Sequence, residues 1–304
     1  MKFLMFADFH YWPGVFYPAS LERLQALQAR AVEAGCDMIL HAGDLCHGPS
    51  KVPELIELCD SSPVPMYHCL GNHDTDGTSL AETLKAYHMP DGHYYFDMGG
   101  YRFVVLDPNY CKVDGQYIHY ELGNYFQWPG NRDHTPPEQL QWLEDTLESS
   151  PYPCILVSHD SYEREVNSSR DFKQVQQILR RVNERHHGRV LMVMNGHHHR
   201  DHLRVLDNIL HWDVNSASYD WVGEEKHDKF PKELTEKYRC AANTVIYNDT
   251  LYAIVTLEGS TITIEGMEST MFMGINREDI GANLLDLSSR PVVPKIQSCK
   301  ITLW

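Results

Sequence analysis

Asp8 and His10 stand two residues apart, directly after the apolar run Phe3-Leu4-Met5-Phe6-Ala7. The same arrangement recurs along the chain at Gly43-Asp44, Gly71-Asn72-His73-Asp74, Ser158-His159 and Gly196-His197-His198-His199, each following a short apolar run that reads as a buried strand. A fold that ends these strands at one sheet edge gathers carboxylates, imidazoles and a carboxamide in one place. Hard oxygen and borderline nitrogen donors together suit Mn²⁺, Fe or Zn²⁺ better than Ca²⁺ or Mg²⁺. Two such ions, about 3.5 to 4 Å apart in hydrolytic centres, need a bridging ligand, and a carboxylate has the two oxygens for it. Asp44 is the candidate bridge, because Gly43 lets the backbone turn its carboxylate inward. Asp8 with His10, and His197 with His199, share the i, i+2 relation that puts side chains on the same side of an extended strand, with His198 pointing away.

The elements that must hold these residues alternate between strand and helix. Strands are expected at 3–7, 38–42, 64–70, 94–98, 101–107, 154–158 and 190–194. A helix over 20–34 carries Leu21, Leu24, Leu27 and Ala31 on one stripe and stops at Gly35; others are expected near 53–59, 79–87 and 172–184. Thr135-Pro136-Pro137-Glu138 reads as a helix start, with Thr135 as N-cap and Glu138 closing a capping box. Beyond residue 200 the pattern turns to β, with strands at 203–206, 209–214, 243–247, 251–257 and 261–265 expected to form the second layer of a sandwich. Segments 11–19, 108–134 and 218–240 look like insertions in a domain spanning 1–270, and 271–304 reads as an extension packed on it. The second insertion is rich in Tyr, Phe, Trp and Asn, a mixture suited either to stacking on a substrate ring or to packing on itself.

Composition narrows the partners. The 304-residue chain carries a formal charge of −16, which repels polymeric nucleic acid and anionic membrane faces. Bound divalent ions would offset that acidity where a small phosphorylated substrate has to approach. The apolar run after Met1 is too short for a signal-peptide core, and no run approaches the roughly 20 residues of a membrane span. Eight cysteines without CxxC spacing, most of them in or beside apolar runs, fit thiols in a reducing cytoplasm. Oligomeric state is not encoded in any pattern of this kind.

The five motifs, their order and their placement after strands resemble the calcineurin-like metallophosphoesterase superfamily, with its D-x-H, G-D, G-N-H-D/E, H and G-H-x-H pattern. The resemblance covers residues 8–199. It implies an α/β fold, a four-layer sandwich of two sheets flanked by helices (α/β/β/α). It further implies one ion held by Asp8, His10, Asp44 and His199, and a second held by Asp44, Asn72, His159 and His197. His73 would sit over the substrate, oriented by Asp74. The D-x-H start and Gln139-Leu140-Gln141-Trp142-Leu143 are most similar to the cyclic nucleotide phosphodiesterase and purple-acid-phosphatase-like branch.

Purple acid phosphatases place a tyrosine three residues after the bridging aspartate, where this chain has His47. His47 is then either a substrate contact or a loop histidine. The chemistry implied is hydrolysis of a small phosphodiester such as a cyclic nucleotide, by two divalent or mixed-valence Mn, Fe or Zn ions, with His73 protonating the leaving oxygen. A phosphomonoesterase or pyrophosphatase fits the same metals, and a non-catalytic scaffold is the reading from another class. The polar surroundings of His186, His187, His202, His211 and His227 mark them as solvent-exposed.

Overall fold

Apolar runs that alternate their contacts between two faces, rather than between core and water, build this molecule. The computed structural model describes residues 1–163, 168–223, 226–280 and 292–304. In chain order, strand β1 (Lys2–Phe6) is followed by helix α1 (Leu21–Glu33), β2 (Met38–His41), α2 (Pro53–Asp60), β3 (Met66–His68), α3 (Leu80–Ala86) and the hairpin β4 (Tyr94–Met98) and β5 (Tyr101–Val105). A second hairpin, β6 (Tyr110–Val113) and β7 (Gln116–His119), precedes α4 (Pro137–Glu148), β8 (Cys154–Ser158), α5 (Phe172–Arg185) and β9 (Val190–Asn195). Then come β10 (His202–Leu206), β11 (Ile209–Asp213), β12 (Tyr219–Trp221), α6 (Lys232–Lys237), β13 (Thr244–Ile246), β14 (Ala253–Glu258), β15 (Thr261–Gly266) and β16 (Cys299–Thr302).

One sheet has the order β16-β15-β14-β1-β2-β3 and the other β10-β11-β9-β8-β5-β4. Phe3, Met5 and Ala7 face the second sheet, where the Phe3 ring meets Phe103 edge-on at 5.6 Å, while Leu4 and Phe6 pack under α1 and α2. Val104, Leu156 and Val193 of the second sheet pack under α4 and α5. Strands apolar on both faces are what a sheet covered on both sides requires, and the result is the expected α/β/β/α four-layer order.

The layers are assembled differently from the sequence reading. The late strands do not make a sheet of their own: β14 adds antiparallel to β1 and carries β15 and β16 with it, whereas β11 adds parallel to β9. Each sheet therefore has a parallel centre extended by later strands at one edge. The insertion at 108–134 contains the unforeseen hairpin β6–β7, turning at Asp114-Gly115, both at positive φ. Helix α4 starts at Pro137 behind an extended Pro136 (φ −59°, ψ 147°) with no side-chain cap. Thr135 is not the cap, because its hydroxyl bonds to Tyr162 (2.8 Å) and Ser169 (3.4 Å) instead. His211 is not exposed either: it lies on β11 between two neighbouring strands, 2% accessible, and burial lowers its pKa to about 4. Among the described residues no helix is long and apolar enough to cross a membrane.

Candidate metal centre

Five strands, β1, β2 and β3 in one sheet and β8 and β9 in the other, end at the same place, so the centre lies across the rims of two sheets rather than along one. The loops leaving them are tied together through their backbones. Asp8 N donates to Gly43 O (3.0 Å), His10 N to Asp44 O (2.9 Å) and Gly196 N to His159 O (3.0 Å). Asp8, His10, Asp44, His197 and His199 all take positive φ, from 51° to 70°. This left-handed backbone, not strand alternation, is what turns both side chains of each i, i+2 pair inward. Gly43 and Gly71 make room for the contact between loops. A Cβ on Gly43 would lie 2.3 Å from His159 Nδ1, and one on Gly71 would lie 2.2 Å from Asp44 Oδ1.

The donor atoms then converge. His10 Nε2 and His199 Nε2 are 3.1 Å apart, and Asp8 Oδ1 is 3.3 Å from His199 Nε2 and 3.8 Å from His10 Nε2. His159 Nε2 is 3.2 Å from Asp44 Oδ2 and 3.8 Å from Asp8 Oδ1. Asp44 Oδ2 also lies 3.8 Å from His10 Nε2, so this carboxylate spans both groups. Asn72 Oδ1 meets His197 Nδ1 at 3.1 Å on the far side. Every residue singled out as a metal-ligand candidate is therefore in this cluster.

The tautomers fit cation binding. His199 donates Nδ1–H to Tyr219 O (2.7 Å) and His159 donates Nδ1–H to Ala42 O (2.8 Å), which leaves both Nε2 lone pairs facing the cluster. His159 Nε2 is buried with no hydrogen bond of its own. Burial lowers the pKa of His10 far below the usual imidazole value, against the pull of Asp44, and takes that of His197 down to about 4. His159 goes the other way: burial opposes its charge, but the charge of Asp44, whose Oδ2 lies 3.2 Å from Nε2, and then that of Asp8 raise its pKa well above normal. Two imidazole nitrogens 3.1 Å apart and two carboxylates crowd this space, a donor set that divalent ions of borderline softness suit.

His73 and Asp74 part company here. Asp74 accepts hydrogen bonds from the backbone N–H groups of Asp44 (2.9 Å), Leu45 (3.1 Å), Cys46 (3.3 Å) and Gly71 (2.7 Å) and from the Tyr87 hydroxyl (2.7 Å). It fastens the second motif to the third. The carboxylate on His73 is Asp76, whose Oδ2 is 2.6 Å from His73 Nδ1, so the expected orienting role of Asp74 passes to Asp76.

Asp76 was missed in the sequence, as was the role of His47. Asp76 Oδ2 is also 3.2 Å from His47 Nδ1, while His47 Nε2 reaches His10 Nδ1 at 3.2 Å. His47, in the loop after β2, is thus a buried, bonded histidine and not a free loop residue; Trp12 stacks on it at 4.4 Å. Tyr125, from the 108–134 insertion, donates its hydroxyl to Asp76 Oδ1 (2.8 Å) and lies 3.3 Å from His73 Nδ1. Burial pulls His73 towards neutrality, but Asp44 and the Asp76 hydrogen bond and charge outweigh it and raise its pKa to about 9. Asp76, despite a desolvation that opposes its charge, is drawn down to about 2 by His47 and His73. Only the spacing of Asp76 three residues after His73, the reach of a turn, could have signalled the pair.

The insertions frame the centre. Phe16 stacks on Tyr219 at 5.2 Å, joining segment 11–19 to the segment that begins at β12. Tyr120 and Tyr125 stack on each other at 4.5 Å within their own insertion, whereas Phe126 stays 63% exposed. Ser216 and Ser218 donate to Asp8 O and Phe9 O (both 2.9 Å), and Asn215 donates to Val293 O and Lys295 O, so these residues brace loops.

Fold and site together define a metal-dependent phosphoester hydrolase, and the chain belongs to the calcineurin-like phosphoesterase family, which it matches over residues 1–201. Among solved structures it is similar to a dimetal phosphatase from Danio rerio, at 15% identity and a TM-score of 0.62, with 100% of this chain and 99% of that one covered. It is also similar to GAP50, the anchor in the inner membrane complex of Plasmodium, at 12% identity and a TM-score of 0.53, covering 89% of this chain and 84% of that one. At these identities the likeness is one of fold. No curated protein sequence matches the chain.

Proposed function

We propose that the chain hydrolyses a small phosphodiester, such as a cyclic nucleotide, at two divalent or mixed-valence Mn, Fe or Zn ions. The observation that carries this reading is the convergence of two histidine and carboxylate groups that share Asp44 Oδ2, which lies within 3.8 Å of both His10 Nε2 and His159 Nε2. Asp8, His10, Asp44 and His199 hold one ion in this reading, and Asp44, Asn72, His159 and His197 the other. Two ions so placed would supply a nucleophile from water near neutral pH and offset the charge of the phosphoryl oxygens.

The protein's own groups do the rest. Asp76 fixes His73 through Nδ1 and favours its protonated form, so Nε2 carries the proton offered to the leaving oxygen. Asp74 holds the Gly43-Asp44 turn against Gly71, keeping the shared carboxylate in place. The Trp12 and Phe126 rings stand on segments beside the centre, where a planar leaving group has aromatic surface to meet. The net charge of −16 favours a small substrate over a polyanion, and eight unpaired cysteines fit a reducing compartment such as the cytoplasm.

The similarity to a dimetal phosphatase along the whole chain supports a second reading, cleavage of a phosphomonoester or a pyrophosphate link. A scaffold role fits less well, because the full donor set and His73 are present. Initial rates on bis(p-nitrophenyl) phosphate and p-nitrophenyl phosphate, with Mn²⁺ at neutral pH, decide between the catalytic readings. A strong diester preference is expected; a monoester preference would refute the diester reading, and turnover of neither by a chain with two bound ions would favour the scaffold.

A further inference from the structure

Asp160 follows His159 at the end of β8 and belongs to no ligand set considered so far. The residue is 2% exposed, yet Oδ1 has no hydrogen-bond partner. The backbone around it is fixed, since Asn195 Nδ2 donates to its carbonyl at 2.6 Å. A buried charged oxygen without a bond is costly unless a cation meets it. His197 Nδ1 lies 3.6 Å from Oδ1, and that nitrogen lies 3.1 Å from Asn72 Oδ1. A carboxylate oxygen and a carboxamide oxygen therefore both lie within 3.6 Å of one imidazole nitrogen.

From this arrangement we infer that Asp160 is a direct ligand of the ion held by Asn72, His159 and His197, so that this ion has a second carboxylate besides the shared Asp44. The inference rests on the dinuclear reading above. It gives the buried, unbonded Oδ1 a partner. It also brings the Asn72 side to two carboxylates, as many as the His10 side has in Asp8 and Asp44, and a hard anionic donor there favours Mn²⁺ or Fe over softer ions.

Calorimetric titration of the full metal-free chain with Mn²⁺ tests it, alongside Asp160→Asn and Asp160→Cys. The wild-type chain should take two ions. Asp160→Asn, which keeps the volume, should bind one of them at least about tenfold more weakly and leave the other unchanged. Metal-free Asp160→Asn should melt at or above the wild type, because Oδ1 of Asp160 has no bond to lose, while its stabilisation by added Mn²⁺ should shrink. Asp160→Cys loaded with Co²⁺ should show a thiolate-to-cobalt charge-transfer band in the near ultraviolet that the wild type lacks, which requires a direct bond.

Fewer than two ions on the wild type would overturn the dinuclear reading, and the assignment with it. Two ions on the wild type, with unchanged binding by Asp160→Asn or no new band from Asp160→Cys, would overturn the Asp160 assignment alone.

Discussion

Replacing Asp76 by Asn keeps the shape of the side chain and removes one charge where two imidazoles and a phenol meet. The bond most affected is the 2.6 Å contact to His73 Nδ1, and His73 is the residue expected to protonate the leaving oxygen. A hydrogen bond between charged partners contributes about 1.5–3 kcal/mol, roughly 10- to 150-fold in rate if all of it is felt at the proton-transfer step. That loss should appear in kcat for alkyl phosphodiesters, whose leaving oxygen needs the proton, and should nearly vanish for bis(p-nitrophenyl) phosphate, whose leaving group does not. His73→Ala should show the same selectivity, only larger. Equal losses on both substrates for Asp76→Asn, with selective loss for His73→Ala, would show that Asp76 merely supports the loop.

Stability gives the pair a second signature. Asp76 is lowered from 3.8 to about 2, so its contribution is full above 3.8 and is lost as pH falls through about 2. His73 is raised from 6.5 to about 9, so its contribution is full below 6.5 and is lost as pH rises through about 9. The melting difference between the metal-free wild type and Asp76→Asn should therefore be greatest between pH 3.8 and 6.5 and close on either side. A difference independent of pH across that range would refute the ion pair.

Other residues give sharper or simpler tests. Gly71→Ala puts a Cβ 2.2 Å from Asp44 Oδ1, and relieving that overlap needs a movement of the shared carboxylate by about 1 Å, enough for a roughly 100-fold fall in kcat/KM; wild-type kinetics would refute the packing. Asp74→Ala strands four backbone N–H groups and the Tyr87 hydroxyl, and should cost more than about 3 kcal/mol in denaturant unfolding; a loss under about 1 kcal/mol would mean that other acceptors serve them. The iron-loaded chain should lack a tyrosinate charge-transfer band. His47 occupies the tyrosine position of purple enzymes, and Tyr219, the phenol beside His10, is kept protonated by burial and by Asp44 and Asp8. A purple absorption would contradict the ligand assignment.

The parts of the site that could be read from the sequence are those written in neighbouring residues. An apolar run that stops at Asp8, Asp44, Asn72, His159 or His197 announces both a buried strand and what it delivers, because both faces of these sheets are covered. Asp76, His47 and Tyr125 escaped because each acts through a partner brought by another loop: nothing local says that a tyrosine 49 residues downstream will reach Asp76. Sheet membership failed for the same reason. Strands β14 and β11 are both short and mostly apolar, and it is their pairing with β1 and β9, settled only by the closed fold, that sends them to different layers.

The least legible feature is the one that makes the site possible. Asp8, His10, Asp44, His197 and His199 all adopt left-handed backbone conformations, which cost a non-glycine residue roughly 1–3 kcal/mol each. Such a set survives only if the surroundings over-determine it, and they do so pairwise. His10 N reaches Asp44 O at 2.9 Å, and His197 N bonds to both oxygens of Asp8, at 3.2 and 3.0 Å. The backbone of one motif thus holds the next in its strained form, so a metal ion meets donors that are already arranged and spends little of its binding energy on ordering loops. A lesion in one motif should accordingly be felt in its partner, and Gly71→Ala tests this beyond kinetics: if the loops are coupled, affinity should fall for both ions rather than one.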